Sequence, residues 1–228
     1  MKGLLIWPSL SRLRRVTTVW NLESGCAMLR NKMEISIILA HPDPGSFNHA
    51  IALTVRQTLE GKGYTVCFHD LYAEKFDPLL TIAELNTKTP PPAEIAGYCE
   101  ELSHADGIVI VHPNWWGQPP AILKGWVDRV VRQGVAYKFA ANEKGEFGPV
   151  GLLRAKTAIV FNTSNTPLEY EMHAFGDPLD NLWKRCTLEY CGIKNVHRQN
   201  FGPVIVSSSE ERAKWLGQVG ELIEASFG

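Results

Sequence analysis

The stretch GIVIVHPNWWGQPPAILKGWVDRV, residues 107–130, joins a short apolar run, an aromatic and proline-rich loop, and a helical pattern. The apolar run at 107–111 predicts a buried β-strand. Apolar residues from Ile122 to Val131 recur with the period of a helix, and Pro119 and Pro120 suit its first turn, where no amide donor is needed. A strand that leads through a loop into a helix is how an α/β sheet builds a ligand site at its carboxyl edge.

Two tryptophans, Trp115 and Trp116, stand side by side in this loop. Neighbouring residues of a non-helical segment point in opposite directions, so one core can hardly bury both rings. We therefore expect one of them to face a ligand. The alternative is that both rings simply cover the end of the sheet.

The composition is that of a soluble globular domain, with 45% hydrophobic and 21% charged residues in a chain of 228. Lys and Arg total 23 and Asp and Glu total 24, so the chain has no basic excess that would bind nucleic acid or an anionic membrane. No apolar stretch reaches the roughly 18 residues of a transmembrane helix. These features favour a small-molecule partner and no stable membrane insertion.

The cysteines are odd in number and show none of the C-x-x-C spacing typical of metal sites. This pattern indicates reduced thiols in a cytoplasmic protein and predicts no metal centre. The cysteines are Cys26, Cys67, Cys99, Cys186 and Cys191.

Residues 1–32 differ from the rest of the chain. They carry several arginines, a single acidic residue, Glu23, and no regular apolar period. We expect a disordered extension, with Met33 opening a folded unit at residues 33–228; a transit peptide is the alternative reading of the Arg and Ser content.

From Met33 onwards, strand and helix patterns alternate. Strands are predicted at 34–40, 64–70, 107–111, 156–163 and within 195–206, where Gly202-Pro203 makes a break. Helices are predicted at 47–61, 93–103, 119–131, from 177 to about 190, and from 209 to the end. Residues 134–148 are predicted to form a long loop. The alternation predicts a parallel sheet covered by helices on both faces. The loops HPDPGSFN, HPNWWGQ and NTSNTP, which follow three of these strands, should then meet at one crevice.

These three loops offer complementary binding chemistry. Ser46 begins a helix whose amino end can hold a phosphate, although a structural helix cap is the commoner reason for such a Ser. The tryptophan loop can stack against a flat ring, and Thr163, Ser164 and Asn165 can bond its polar edge. Neither a G-x-G-x-x-G nor a G-x-x-x-x-G-K-[ST] motif is present, so a dinucleotide fold or P-loop is disfavoured. Together the loops predict a flavin site.

Three sequence motifs carry a family resemblance: Ala40-His41 with Ser46-Phe47-Asn48, Asp70-Leu71-Tyr72, and PPAILKGW at 119–126. With them, residues 33–206 resemble the NAD(P)H:quinone oxidoreductase branch of the flavodoxin-like superfamily, which includes mammalian quinone reductases, bacterial modulator-of-drug-activity proteins and ancillary subunits of potassium efflux systems. The resemblance implies an α/β three-layer sandwich with a five-stranded parallel sheet in order 2-1-3-4-5. It also implies bound FAD or FMN, NADH or NADPH as electron donor, and a homodimer.

The resemblance also assigns roles to individual residues. Tyr137 and Phe139 match aromatic residues that close the substrate site of the partner subunit. Tyr170 matches a catalytic Tyr, whereas the position of the family's catalytic His is held by Phe175, so that His173 is the candidate replacement. Residues 163–165 stand where the family has Thr-Thr-Gly-Gly. The implied flavin contacts are His41, Ser46, Phe47, Asn48, Pro113, Asn114, Trp115, Trp116, Thr163, Ser164 and Asn165.

The preferred functional hypothesis is a flavin-dependent NAD(P)H oxidoreductase that passes two electrons to a quinone-like acceptor by a ping-pong mechanism. One alternative is a regulatory redox subunit docked to a cation efflux transporter. Another is an electron-carrier flavodoxin, against which the near-neutral charge and the long loop at 134–148 count.

Overall fold

A computed structural model describes residues 32–86, 88–141 and 145–228. The disordered extension predicted for residues 1–32 falls outside this part of the chain, apart from Lys32.

The main sheet has five parallel strands in the spatial order β2-β1-β3-β6-β7. Counted along the chain within this sheet, that order is 2-1-3-4-5, so the predicted flavodoxin-like arrangement is confirmed. The strands of the structure are β1 (Glu34–Leu39), β2 (Thr65–Asp70), β3 (Gly107–Pro113), β4 (Tyr137–Ala141), β5 (Phe147–Gly151), β6 (Thr157–Thr163) and β7 (Asn195–Phe201).

Helices cover both faces of the sheet and bury two apolar cores. Successive residues of β1 alternate between them: Ile37 packs with the core beneath α1 and α6, and Ile38 packs with the core beneath α2 and α3. The helices are α1 (Phe47–Gly61), α2 (Ala93–His104), α3 (Ala121–Val130), α4 (Leu168–Phe175), α5 (Pro178–Asn181), which continues as π-helical turns at Leu182–Glu189, and α6 (Ser209–Phe227); a 3₁₀ turn spans Ile82–Leu85.

The register of the two central strands places the predicted site loops side by side. Pro113 at the end of β3 pairs with Thr163 at the end of β6, and every residue of both strands is buried. The backbone N–H of Asn114 extends this pairing by donating to the Thr163 carbonyl at 2.7 Å. The loops after β3 and β6 therefore leave the sheet at the same level.

The structure differs from the sequence-based expectations at two places. The predicted long loop at 134–148 contains β4 and the start of β5, an antiparallel hairpin whose cross-strand pairs join Tyr137 to Gly151 and Ala141 to Phe147. Helix α4 was not predicted, because apolar and polar residues alternate from Leu168 to His173, which is not the period of a helix. The last strand ends at Phe201, at the break that Gly202 and Pro203 make within the predicted range 195–206.

Candidate flavin-binding site

A cavity of about 330 Å³ opens at the carboxyl edge of the sheet, where the three loops meet. Every predicted flavin contact except Trp116 lines it. The lining residues are His41, Ser46, Phe47, Asn48, Pro113, Asn114, Trp115, Thr163, Ser164, Asn165, Thr166 and Val204.

One wall of the cavity is the amino end of α1, for which Ser46 is the N-cap. The Ser46 Oγ accepts from the backbone N–H of His49 at 3.3 Å and lies 3.0 Å from its Nδ1. The other ring nitrogen of His49 lies 2.9 Å from Asp70 Oδ2, which holds the imidazole in place. The amides of Phe47 and Asn48 precede the first intrahelical bonds, so they are oriented donors at the positive end of the helix dipole.

His41 lies at the start of the first loop. Its Nδ1 accepts from the backbone N–H of Asp43 at 3.1 Å, which leaves Nε2 as the protonated nitrogen of the neutral ring. Burial lowers the pKa of His41 and outweighs the hydrogen bond to the Asp43 backbone, which acts in the opposite direction. The ring lies 6.2 Å from Trp115, centroid to centroid. His41 is thus a neutral donor beside the aromatic wall.

The aromatic wall is built on a tight turn. Trp115 and Gln118 exchange backbone hydrogen bonds at 3.0 Å, and the two residues between them both have positive φ, 60° at Trp116 and 71° at Gly117. This is the pattern of a type I′ turn, which disfavours a bulky residue such as Trp. The turn leaves Trp115 41% exposed and Trp116 100% exposed. Neither ring is buried in the core. The positive φ of Trp116 is a strained backbone conformation, and such strain concentrates at functional sites.

The opposite wall comes from the loop after β6. Asn48 Nδ2 donates to Thr163 Oγ1 at 2.9 Å and so fixes α1 against this loop, while the Asn48 Oδ1 is buried without a hydrogen-bond partner in the described chain. The backbone N–H of Val204 donates to the Ser164 carbonyl at 2.9 Å. A buried acceptor without a partner is costly, so Asn48 Oδ1 calls for a donor from a ligand. Asn165 lies exposed at the rim.

A second cavity of about 460 Å³ adjoins the first and shares Asn114 and Thr166 with it. Asn114 Nδ2 donates to Glu171 Oε1 at 2.6 Å, and its Oδ1 accepts from the backbone N–H of Gly117 at 2.9 Å. These two bonds fix the orientation of the Asn114 side chain and leave one amide hydrogen and one oxygen lone pair for a ligand. The remaining lining residues are Trp116, Gly117, Glu171, Phe175 and Pro178.

A buried histidine supports the loop from beneath. His112 Nδ1 donates to the Pro113 carbonyl at 2.8 Å, and its Nε2 accepts from Trp183 Nε1 at 2.8 Å and lies 2.7 Å from Asn162 Nδ2. Burial lowers the pKa of His112 to about 4, with a smaller contribution from the positive charge of Arg198, so the ring is neutral at physiological pH.

Arg198 on β7 continues this network toward the second cavity. Its Nη1 donates to Asn162 Oδ1 at 2.9 Å, and its Nη2 donates to Asp177. Asp180 of α5 lies 3.4 Å from its Nε. Asp177 precedes α5 but makes no side-chain cap to that helix, because its carboxylate pairs with Arg198 instead.

Comparison with known proteins agrees with this architecture. The flavodoxin-like fold family matches residues 33–222. An NAD(P)H oxidoreductase of Haemophilus influenzae is 36% identical over 195 residues, 84% of this chain and 94% of the relative. The chain belongs to the flavodoxin-like NAD(P)H:quinone oxidoreductase family.

Further relatives fit this family. A ribosyldihydronicotinamide dehydrogenase [quinone] of Pongo abelii is 30% identical over 203 residues, 78% of this chain and 86% of the relative. The crystal structure of Smu.1420 from Streptococcus mutans superposes with a TM-score of 0.74 at 33% identity, covering 84% of this chain and 98% of the other.

The structure does not bring every residue predicted from the family resemblance to the cavities. Tyr170 and His173 lie on α4 with exposed side chains, and neither lines the two cavities. Tyr137 and Phe139 lie on β4, also outside both cavities, with ring centroids 5.9 Å apart. The roles predicted for these four residues stay predictions.

Sequence reasoning missed several residues that line the cavities, namely Thr166, Gly117, Glu171, Pro178 and Val204. Gly117 had a local signal, since a Gly after two tryptophans suggests a turn. Glu171 had none, because the one hydrogen-bond partner of its side chain among the described residues, Asn114, is 57 residues away along the chain.

Other properties of the described chain bear on function. Cys67, Cys99, Cys186 and Cys191 are free thiols, and Cys26 lies outside the described residues. Within residues 32–86, 88–141 and 145–228, no helix combines the length and apolar character needed to cross a bilayer. The same residues bring together no cluster of His, Cys, Asp or Glu suited to a metal ion.

Proposed function

We propose that this protein is a flavin-dependent oxidoreductase that takes two electrons from NADH or NADPH and passes them to a quinone-like acceptor. One observation carries the proposal: helix-end amides, an exposed tryptophan turn and polar groups after β6 line one cavity at the switch point of the sheet. The family's relatives, which include a quinone dehydrogenase, support the same reaction class.

The cavity residues fit a flavin. The amides of Phe47 and Asn48 and the neutral ring of His41 would hold the phosphate, and the buried Asn48 Oδ1 would accept from a ligand hydroxyl. Trp115 and the backbone of Asn114 would lie against the ring system. A bound flavin supplies hydride and electron transfer, while these residues orient it and exclude water.

The cofactor we favour is FAD. A groove of about 350 Å³ shares Ser46 and Phe47 with the main cavity and is lined further along by Arg212. Arg212 is held in place by bonds from its Nε to Ser207 Oγ at 2.8 Å and from its Nη2 to the Val204 carbonyl at 3.1 Å. FMN would leave this groove unused, whereas the second phosphate of FAD would meet the guanidinium.

The second cavity is the proposed place for the nicotinamide and the acceptor. It adjoins the flavin cavity and is lined by the apolar surfaces of Trp116, Phe175 and Pro178. Two flat substrates that occupy the same space in turn would give ping-pong kinetics. Parallel double-reciprocal lines are the expected result, and intersecting lines would contradict a shared site.

A homodimer would complete this pocket. The hairpin formed by β4 and β5 exposes Phe139 and Phe147, whose rings stack with centroids 6.4 Å apart. An exposed aromatic pair on a hairpin favours contact with a second copy, in which Tyr137 and Phe139 would close the partner's second cavity. Sedimentation equilibrium of the wild type and of F139A/F147A tests this, with a dimer expected only for the wild type.

The first experiment is the visible spectrum of the purified protein, followed by anaerobic NADPH and then menadione. We expect a flavin band that bleaches with NADPH and returns with menadione, and chromatography of the released cofactor should give FAD. N48A should weaken flavin binding by about 10-fold, because it removes the acceptor proposed for a ligand hydroxyl and the Nδ2 bond that fixes α1 against the loop after β6. Q57A, an exposed amide on the same helix, is the matched control. A colourless protein that takes up neither FAD nor FMN would refute the proposal.

A second candidate role is that of a regulatory redox subunit docked to a cation efflux transporter. One observation favours it: Leu79, Ile82 and Leu85 are exposed together on the segment before α2. Co-purification with a membrane transporter would distinguish this role, and it is compatible with the oxidoreductase activity. A cytoplasmic location stays a prediction.

A further inference from the structure

Of the described residues that line the second cavity, Glu171 is the one carboxylate. Its Oε1 accepts from Asn114 Nδ2 at 2.6 Å, and its other oxygen has no hydrogen-bond partner among the described residues. Asn114 itself lines both cavities, so the carboxyl group is held beside the boundary between the flavin site and the space beyond it. Glu171 is therefore fixed at one oxygen and available at the other.

Within the described part of the chain, Glu171 forms no ion pair with a cation. The negative charge of Asp177 acts on it, and Arg198, which opposes that effect, is already paired with Asp177 and lies near Asp180. Partial burial raises the pKa of Glu171, the charge of Asp177 raises it further, and the charge of Arg198 only partly offsets them. A carboxyl group in this setting keeps its proton more readily than an exposed glutamate does.

The walls around Glu171 suit a flat, uncharged molecule. Trp116 presents a fully exposed ring, and Phe175 and Pro178 add apolar surface. Among flat acceptors, a quinone needs a proton delivered to oxygen, and a carboxyl group on the cavity wall with a raised pKa is suited to deliver it.

We propose that Glu171 is the catalytic acid of this site and donates the proton that the acceptor's oxygen takes up as a quinone becomes a hydroquinone. The inference rests on the proposed oxidoreductase function. It gives Glu171 a catalytic role of its own, on the same helix as Tyr170 and His173, for which the family resemblance implies catalytic roles.

The reaction balances with NAD(P)H as the reductant. A quinone gains two electrons and two protons; the hydride equivalent from NAD(P)H carries both electrons and one proton. The second proton leaves the Glu171 carboxyl as the new O–H bond of the hydroquinone forms. The resulting carboxylate is then protonated again from solvent, which the partial exposure of Glu171 permits.

The position of neighbouring groups favours Glu171 over the residues predicted from the resemblance. Tyr170 is 58% exposed, and its ring packs against Phe175 with centroids 5.9 Å apart. His173 is also exposed, and neither side chain lines either cavity. Glu171 alone of the three reaches the cavity wall in the structure.

The decisive variant is E171Q, because the Gln side chain can still accept from Asn114 Nδ2 but holds no acidic proton. E169Q is the matched control, since Glu169 is an exposed glutamate in the first turn of the same helix and lines neither cavity. Each holoenzyme is reduced with NADPH and reoxidised either by menadione, which needs a proton, or by ferricyanide, which accepts one electron without a proton. The measured quantity is the ratio of the two reoxidation rates.

We expect E171Q to lower the menadione-to-ferricyanide ratio by about 100-fold, the usual contribution of a general acid. E171D, which keeps an acid, should recover part of that loss, and E169Q should match the wild type. Infrared spectra of the resting proteins give a second readout: the wild type should show a protonated-carboxyl band that E171Q lacks.

The outcomes separate the two proposals. A flavin-loaded protein that NADPH reduces, but whose rate ratio is the same in E171Q and E169Q, would overturn the role of Glu171 and leave the oxidoreductase function standing. Equal ratios for E171Q and E171D would overturn it as well. A protein that takes up no flavin would overturn both.

Discussion

Acid should destabilise this protein through one buried residue, His112. Its neutral ring donates from Nδ1 to the Pro113 carbonyl and presents its Nε2 lone pair to Trp183 Nε1, with Asn162 Nδ2 equally close. Protonation would place a hydrogen on Nε2, where two donors already point. The folded state therefore resists protonation, whereas an unfolded chain accepts it freely.

The magnitude follows from the pKa of His112, which burial lowers from 6.5 to about 4. At about 1.4 kcal/mol per pH unit, this difference corresponds to about 3 kcal/mol of free energy of unfolding. Because the pKa of His112 is lower in the folded than in the unfolded state, the neutral ring adds its full share to the free energy of unfolding above about pH 6.5. That share is lost as the pH falls toward about 4.

The assay is urea unfolding of the wild type and of H112N at intervals between about pH 4 and pH 7. At pH 7, H112N should be less stable by about 2–6 kcal/mol, because Trp183 and Asn162 each lose an acceptor at about 1–3 kcal/mol per buried donor. As the pH falls to about 4, that gap should narrow by about 3 kcal/mol. H104N, which changes an exposed histidine at the end of α2, is the control.

A gap between wild type and H112N that stays constant across this range would refute the reasoning. It would mean that the imidazole is already protonated when folded, or that water reaches it. A gap that widens in acid would show that the sign of the linkage is wrong.

Three further substitutions test other parts of the structure. G117A should cost about 1–2 kcal/mol in thermal unfolding and weaken flavin binding, because φ is 71° there and a Cβ would lie 2.8 Å from the Cγ of the proline that begins α5. E84A should lower the free energy of unfolding in urea by about 3–5 kcal/mol, because it leaves Arg129, whose side chain is 1% exposed, without the carboxylate that lies 2.9 Å from its Nε. E94A should lower it by under about 1 kcal/mol, because Glu94, which contacts the same guanidinium, is 66% exposed. Burial opposes protonation of His69, but two flanking glutamates raise its pKa. The wild type should therefore be more stable than H69N below about pH 6.5, and this difference should shrink as the pH rises. A difference that grows with pH would contradict the pairing of His69 with these glutamates.

Much of the fold could be predicted from the sequence, because the signals are local. The stripe from Ile122 to Val130 and the run at 107–111 each span only a few turns or strand residues, and Ser46 caps α1 as its position suggests. The alternation of these elements leaves few arrangements for a parallel sheet with short right-handed crossovers. The order 2-1-3-4-5 itself came from the family resemblance rather than from periodicity.

Segments without a clear apolar pattern were predicted less accurately from the sequence. The two strands of the hairpin at 137–151 contain no fully buried residue, and the second includes Gly and Pro. Helix α4 likewise contains no buried residue. An element without an apolar face has no period to detect.

The sequence by itself determined which strands form and therefore which loops meet, since parallel strands of one sheet finish at one edge. Only the tertiary structure decided what those loops do. Contact between Asn114 and Glu171 spans 57 residues, and contact between Trp183 and His112 spans 71. Such pairs leave no trace in local spacing, because a side chain's direction at a loop depends on the packing beneath it. The position of Glu171 on the cavity wall and the neutral His112 below the loop are therefore properties of the folded chain.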